Sequence, residues 1–509
     1  MARVYSNRLS EFTHENGGRV LLLFLLFLLS LYSFITSGIT GMAMVAAIPI
    51  VIVFIFLAFK YRMFTFWVLF VVNYFVMFLE KENMLPLPPS LPNELLELIL
   101  IAIAIIDLRE NNFRNLANIM LIGAMGWCAF CVLEVFNDTC GLGINVSAWF
   151  TGIRLMAFQI LYAVIVFALY INTPNRLYNL LYLWAFCALF SVFWCWKQQY
   201  IGWTEAERHW LFVQDHARQH MVNGIIRYFA TFTDAANFGI HMAATSVVFY
   251  IVAITNKIRK IKLFFGITGI LCTWAMFASG TRTALFCLIA GFMVFLVLSK
   301  SLKIIVPVSI VFGLFIGMLM FTNIGQGNNQ IRRMRSAFNR NDASANVRDI
   351  NKTAISKYMK DAPWGIGIGI FSKDIPAWNK FKIVSQIPPD SEYVFIWVRT
   401  GKIGVSWFLL CNLIMLFGAS YTVLFSIKNR SLRGIGAAWC SAFTALHLGG
   451  YANQILMQFP NILLFYGGLT TVFLLPQIEH NFNENEEKYL TKETEKKRLK
   501  LERNLAKRV

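Results

Sequence analysis

Apolar runs long enough to cross a membrane recur along the whole chain, separated mostly by short polar connections. A spanning helix needs about 20 predominantly apolar residues, and in hydrocarbon only helices or closed barrels satisfy every backbone polar group. On that measure the sequence offers about fourteen candidate spans. They lie near 20–36, 42–59, 63–79, 93–106, 116–135, 149–171, 178–196, 235–254, 263–279, 283–299, 304–322, 403–426, 434–450 and 460–476. The expected fold class is an all-α polytopic membrane protein. Composition agrees, because charged residues are only 14% of the chain against 57% hydrophobic, too few to cover a water-soluble surface.

The formal charge of +19 suggests nucleic acid at first sight. The basic residues fall instead in short clusters between apolar runs: Lys60 and Arg62, then DLRENNFRN, NTPNR, NKIRKIK, KSLK and KNRSLR, and finally the tail. With the N-terminus inside, all of them come out cytoplasmic, as the positive-inside rule requires. The number of spans is then even, and no nucleic-acid partner is expected. The first run follows a polar leader of 18 residues with no clear small-residue cleavage site, and reads as a retained span. Most of the nine cysteines sit inside apolar runs, Cys128 and Cys131 of WCAFC included, and read as packing residues rather than a metal or redox pair. Cys140, in a short polar connection, is the exception.

Two connections are long, and the alternation places both outside. The expected organisation is N-terminal spans over 1–196, a first outer loop over 197–234, central spans with the SGTRT turn over 235–322, a second outer loop over 323–402, C-terminal spans over 403–476 and a basic cytoplasmic tail over 477–509. Function is expected in the loops. The second is rich in arginine (Arg332, Arg333, Arg335, Arg340, Arg348), which the positive-inside rule disfavours in a translocated segment and which therefore points to an anionic ligand. Within it Val347, Ile350, Ala354 and Tyr358, with Ile355 and Met359, recur at helical spacing, as in an amphipathic helix lying on the membrane surface. The run GIGIG at 365–369 follows that helix, whereas a phosphate-cradling glycine loop precedes one, so a nucleotide site is disfavoured. The tail KETEKKRLKLERNLAKRV reads as a solvated or membrane-surface helix without chemistry.

Between residues 220 and 420 the motifs have an order: Arg227, TFTDAANFG at 231–239, SGTRTALF, then an outer loop running through Arg348, DAPWGIGIGIF and PPDSEYVFIWVRTGKIGV. This series resembles the O-antigen ligase and polymerase superfamily, the Wzy and WaaL type of bacterial membrane glycosyltransferase. DAAN stands where Asp-Pro-Asn is common in that family. Asp390, Ser391, Glu392 and Tyr393 stand where the ligases carry a His-Asn pair, which favours the polymerase branch. His209, His216 and His220 of the first loop are an alternative source of an imidazole.

The resemblance implies a GT-C-like fold and an enzyme that takes its glycan from undecaprenyl pyrophosphate. Pyrophosphate leaves the anomeric carbon with growing negative charge, so cations are needed there, and the planar fork of arginine suits phosphate oxygens. Arg227 and Arg282 are the expected catalytic cations, with Arg348 reaching from the loop helix. Asp390 and Glu392 are the candidates to orient or deprotonate the acceptor hydroxyl. Asp234, Asn237, Trp364 and Tyr393 are the candidates for touching substrate. Each has a plainer reading: Asp234 as a helix N-cap, Asp390 and Glu392 as solvated loop carboxylates, Arg227 and Arg282 as snorkelling interfacial anchors. Trp203, Trp210, Tyr228, Trp364, Trp378, Tyr393 and Trp397 offer faces for sugar rings but also fit an aromatic belt. No Asp, Glu or His cluster at metal-ligand spacing is apparent in either loop, so metal-independent transfer without a cofactor is expected.

The expected setting is the bacterial inner membrane, with the site facing outward. Membrane lipids, a chain-length regulator and a flippase are the implied partners. The rival readings are a ligase and, from another class, a flippase or transporter of the same lipid-linked sugar; the latter class favours internal repeats and mid-membrane charges, which this sequence lacks.

Overall fold

A computed structural model of the chain describes most of residues 17–506. Outside the description lie residues 1–16, scattered positions between 19 and 55, and residues 83, 85–87, 107–112, 223–224, 325–326, 328, 336–342 and 507–509. Arg340 and part of the expected span at 42–59 are among them. The chain divides into two compact units, 1–66 and 67–509. The first contains a helix over Leu23–Thr36.

Helix α1 (Arg62–Lys81) leads into the second unit. There follow α2 (Ser90–Ile106), α3 (Ile119–Leu133), α4 (Val146–Tyr170, with a π turn over Arg154–Phe158) and α5 (Pro174–Tyr200). The central helices are α6 (Ala235–Thr255), α7 (Arg259–Ala278), α8 (Arg282–Leu298) and α9 (Leu302–Phe321). The second long loop carries α10 (Asn329–Arg335), α11 (Ala343–Tyr358) and α12 (Phe381–Gln386). The chain finishes with α13 (Glu392–Tyr421), α14 (Arg430–Ala452), α15 (Ile462–Val472) and α16 (Leu475–Ala506). Among the described residues the strands form one short antiparallel hairpin, Met221–Val222 with Ile225–Ile226.

Among the described residues seven helices are long and apolar enough to cross a membrane, or eight if the bent pair α15 and α16 counts as one span. The expected fourteen are not confirmed: the spans expected near 20–36 and 42–59 lie partly outside the described residues, and others depart for physical reasons. Helix α8 is 17 residues long, and the expected span at 460–476 breaks by 79° between α15 and α16. Helix α14 is long enough, but its Arg430, Arg433 and His447, with several Gly, Ser and Thr residues, lower its hydropathy. Those small residues let neighbours approach: a Cβ on Gly434 would lie 1.9 Å from the Thr255 hydroxyl oxygen, and one on Gly449 would lie 2.6 Å from a methyl of Ile240. Close approach through small side chains is how helices associate where lipid removes the hydrophobic drive between them.

The connections separate into two ends. At one, Asn256 donates to the Tyr178 hydroxyl (2.8 Å), and Glu486 of α16 accepts from Ser431 (2.5 Å) and Asn429 (2.9 Å) and pairs with Lys257 (2.9 Å). The expected cytoplasmic clusters NTPNR, NKIRKIK and KNRSLR meet here, so this is the basic end. The tail is docked over its first turns as well as solvated farther out. At the opposite, loop end gather residues 197–234, the SGTRT turn, the second long loop and the connection 453–461.

The second loop has its own core of Ile355, Met359, Ala362, Ile366, Ile375, Phe381, Val384 and Val398, joined by Cys140. This corrects two expectations. Helix α11 turns Ile355 and Met359 onto that core rather than presenting its apolar face to a membrane surface, and leaves only Val347 and Ile350 well exposed. Cys140 is a buried packing residue, and all nine cysteines are free thiols. GIGIG has a structural purpose. Helix α13 breaks at Gly401 (φ 69°), which releases the carbonyls of Val398 and Arg399 to accept the N–H groups of Ile366 (2.9 Å) and Gly367 (3.0 Å). The backbones are so close that a Cβ on Gly365 would lie 2.4 Å from the Arg399 carbonyl. Gly365→Ala, at φ 81°, is expected to destabilise the protein by about 1–3 kcal/mol through strain alone; an unchanged melting temperature in detergent would contradict this account.

Candidate active site

The N-terminus of α6 organises the loop end. Asp234 is its N-cap, accepting from the N–H groups of Ala236 (2.7 Å) and Asn237 (2.9 Å). Ahead of it the TFTD segment is held by contacts from α5, α1 and the 453–461 connection. Gln198 accepts from the N–H of Ala230 (2.9 Å), which sits at φ 47°. The buried Lys81 ammonium donates to the carbonyls of Ala230 and Phe232 and lies over the Phe229 ring at 4.1 Å. Thr233 donates to Gln458 (2.6 Å).

The SGTRT turn docks on the same helix. Ser279 bonds back to the Met276 carbonyl (2.7 Å), Gly280 takes φ 63°, and the Thr281 hydroxyl donates to the Ala235 carbonyl (2.7 Å). Gly239 of α6 is what allows this, since a Cβ there would lie 2.2 Å from the Ser279 hydroxyl oxygen. Arg282 is thereby fixed at the start of α8. Arg333 of α10 lies against Gly280, its Cδ 3.4 Å from where a Cβ would be.

Arg227 completes the cluster. Its backbone N–H donates to the His220 carbonyl (3.1 Å), and its Nε is buried without a hydrogen-bond partner. Burial lowers its pKa. The charge of Asp234 opposes that, and the neighbouring charges of Arg282 and Arg348 add to it. Three of the expected cations therefore converge on one place. Arg348 arrives from α11, whose next turn is tethered where Asn351 donates to Asp390 (2.6 Å). Asp390 is itself in the left-handed region at φ 52°, uncommon for a residue with a side chain.

Other expected site residues lie in different surroundings. Glu392 is not a solvated loop carboxylate: it is 2% exposed, starts α13, and accepts from the N–H of Leu456 (2.8 Å) with those of Ile455 and Met457 alongside. It anchors the 453–461 connection. Asn237 is fully buried, donating to Thr233 (2.9 Å) and the Phe459 carbonyl (3.1 Å) and accepting from Asn461 (2.7 Å), so its amide faces protein on all sides. The Tyr393 hydroxyl donates to the His447 carbonyl (2.9 Å). Trp364 stacks on Phe130 (5.9 Å between centroids) and stays half exposed. In the first loop Trp203 and Trp210 pack on Phe229 around Leu211 and Ala217, as core rather than an open stacking face. Among the described residues no group of three or more His, Cys, Asp or Glu side chains is arranged to hold a metal ion.

Sequence reasoning missed Lys81, Gln198 and the whole 453–461 connection. Lys81 ends an apolar run in FLEKEN and resembles any interfacial lysine. The only signal in QILMQFPN is polar amides beside a proline, between two apolar runs.

A family model for the O-antigen ligases matches residues 267–409. That match supports the likeness of this segment to the O-antigen ligase/polymerase superfamily. No curated protein matches the chain. Members of the superfamily are membrane glycosyltransferase-like enzymes. The matched segment contains Arg282, Arg348, Trp364, Asp390, Glu392 and Tyr393. Arg227, Asp234 and Asn237 precede it, and it is the fold that brings Arg227 to the superfamily's segment.

His220 gives a test of the surroundings of Arg227. Burial, followed by the charges of Lys81, Arg227 and His216, pushes its imidazole down to about 3. The unfolded chain takes up that proton near the ordinary value of about 6.5, so the stability tied to neutral His220 is complete above pH 6.5 and is lost as pH falls from there towards 3. His220→Phe is expected to flatten that part of the profile of melting temperature against pH; an unaltered slope would mean that the imidazole titrates normally.

Proposed function

We propose that the protein is a polysaccharide polymerase of the bacterial cytoplasmic membrane. It transfers a glycan from undecaprenyl pyrophosphate to the sugar end of another lipid-linked repeat unit at the outer face, extending O-antigen, capsule or exopolysaccharide. The observation that carries this reading is the convergence of Arg227, Arg282 and Arg348 at the end of an apolar bundle, where a lipid pyrophosphate would present itself. Guanidinium groups stay charged when partly desolvated and pair with phosphate oxygens. In the reaction the acceptor oxygen bonds to the anomeric carbon while the bond from that carbon to the pyrophosphate oxygen breaks. The electron pair leaves with the pyrophosphate, where the arginines stabilise it, and the hydroxyl proton passes to a base. Asp390 is the candidate base, because Glu392 is committed to backbone N–H groups. Trp364 offers a half-exposed ring to the glycan. A chain-length regulator and a flippase are the partners this reading implies.

The description of the matching family favours a second reading, a ligase that passes the glycan to lipid A core or protein. Against it stands Asp390-Ser391-Glu392-Tyr393 in place of His-Asn. Purified protein in nanodiscs with an undecaprenyl-pyrophosphate-linked repeat unit as sole substrate separates the two. A ladder of longer lipid-linked glycans is the polymerase result; product only after lipid A core or another acceptor is added is the ligase result. On the polymerase reading Arg282→Ala is expected to slow the ladder by about 10²–10³-fold, as loss of a preorganised charge partner does. Asp390→Asn is expected to cost about 10²–10⁴-fold, as loss of a general base does. Both variants should keep the wild-type melting temperature to within about 2 °C, the shift that about 0.5–1 kcal/mol produces in a chain of this size; full activity in both would overturn the assignment.

A further inference from the structure

A second feature lies away from the arginine cluster, where α6, α7, α8 and α9 leave a lateral groove with a cavity of about 550 Å³. Tyr250, Leu288, Phe292, Pro307, Val311 and Phe315 make its walls. The polar groups of the wall are closed on each other: the Tyr250 and Thr273 hydroxyls are 3.0 Å apart, and Thr273 donates to the Gly269 carbonyl (3.0 Å). The surface left to an occupant is almost wholly carbon. Two cations, Lys303 and Arg430, also line the groove, and among its described lining residues there is no carboxylate. Arg430 is held in place by donating to the Ile254 carbonyl (3.3 Å), and Lys303 is exposed at the start of α9. Both belong to the basic end of the bundle, with Lys257 and Lys428.

The groove has the length of one leaflet. Lys303 to Phe315 along α9 spans about 18 Å at 1.5 Å per residue, little more than half of a hydrocarbon core of about 30 Å. A chain anchored by a phosphate at Lys303 and Arg430 ends near the bilayer midplane, under Phe315. That depth, and cations at the end opposite the arginine cluster, suit a lipid whose headgroup sits at the basic end. A polyprenyl donor presented to Arg282 would have its phosphates at the other end.

We propose that this groove is a binding site for one anionic phospholipid of the leaflet at the basic end. Its acyl chain lies against α6, α8 and α9, and its headgroup phosphate rests between Lys303 and Arg430. Apolar walls alone accept any acyl chain, so selectivity comes from the two cations. Basic pockets between membrane helices on the cytoplasmic side are suited to anionic headgroups, and each Lys or Arg near such a surface contributes about fivefold in affinity. The lipid also has a structural consequence. Phe315 lines the groove and packs with Phe277 and Ile289 on Leu285 and Met334, the apolar layer directly beneath Arg282 and Arg333. The proposal is independent of the reaction catalysed at the arginines.

Native mass spectrometry of the full chain, purified in detergent and titrated with palmitoyl-oleoyl phosphatidylglycerol or the corresponding phosphatidylcholine, tests this. One phosphatidylglycerol per protein is expected to bind more tightly than phosphatidylcholine. Lys303→Ala should weaken it about fivefold and the Lys303→Ala, Arg430→Ala pair about thirtyfold, with phosphatidylcholine unaffected. Because Arg430 also holds Ile254, the exposed Lys303→Glu serves as the variant that leaves the fold alone, and it should abolish the preference by itself. Val311→Trp, which fills the groove from an exposed position, should remove the tight adduct. Equal binding of the two lipids, or a phosphatidylglycerol preference that survives Lys303→Glu or Val311→Trp, would overturn the proposal.

Discussion

Polar groups that leave water at the end of an apolar bundle have to find partners inside the protein, and the 453–461 connection supplies most of them. It offers its N–H groups to Glu392, the Gln458 side-chain amide oxygen to Thr233, the Phe459 backbone carbonyl to Asn237, and the Asn461 side chain to Asn237 and His241. His241 donates from Nδ1 to Asn461 (2.8 Å) and accepts at Nε2 from Tyr74 (3.2 Å), so the chain of bonds runs across the bundle without a gap. A buried polar network of this kind is stabilising only when complete. Five helices, α1, α6, α13, α14 and α15, are set relative to one another by it, and the TFTD segment inherits its position from them.

Gathering arginines is unfavourable unless something anionic joins them. Asp234 is the carboxylate whose charge reaches Arg227, and it is already accepting two backbone N–H groups as a cap. Burial, with the mutual repulsion that remains, lowers the pKa of Arg227 but leaves an arginine charged at any physiological pH. Lysines in the same place would respond by losing protons, and the site would empty itself of charge. Arginine keeps the positive field intact, and on the proposed function the cost would be returned when a multivalent anion arrives.

What the sequence made legible follows from how local each signal was. TFTDAAN and SGTRT declare themselves because a cap, a left-handed glycine and an arginine are all set within a few residues, and they do meet. The spacing of Ile355 and Met359 marked a helix correctly but not what covers it, because the covering core comes from residues as distant as Cys140 and Val398. Glu392, Asn237 and Tyr393 sit inside the right motifs, and only the fold reveals that residues of 447–461 have claimed their polar atoms. Lys81 was invisible for the same reason: its partners are the carbonyls of Ala230 and Phe232, some 150 positions later in the chain. Among the described residues the helix count is not confirmed where small residues, kinks and short helices do the packing. Hydropathy measures what a helix would like around it, and α14 is surrounded by protein.

The three arginines reach the site by different routes, and this shapes how it can operate. Arg282 and Arg227 are fixed by α6 and the network beneath it, through Thr281, Thr233 and Asp234. Arg348 belongs to α11, a helix whose core is the loop's own and whose tie at the site is the Asn351 bond to Asp390. The fixed pair supplies a constant field, while the third cation and the carboxylate beside it share one hydrogen-bonded unit and are placed together. Any displacement of α11 that withdraws Arg348 from an anion therefore also disturbs Asp390. On the proposed function, coupling the group expected to bind the anion to the carboxylate in this way would make charge stabilisation and acceptor orientation arrive as one event, which is the order that transfer from an activated glycan to a hydroxyl, rather than to water, requires.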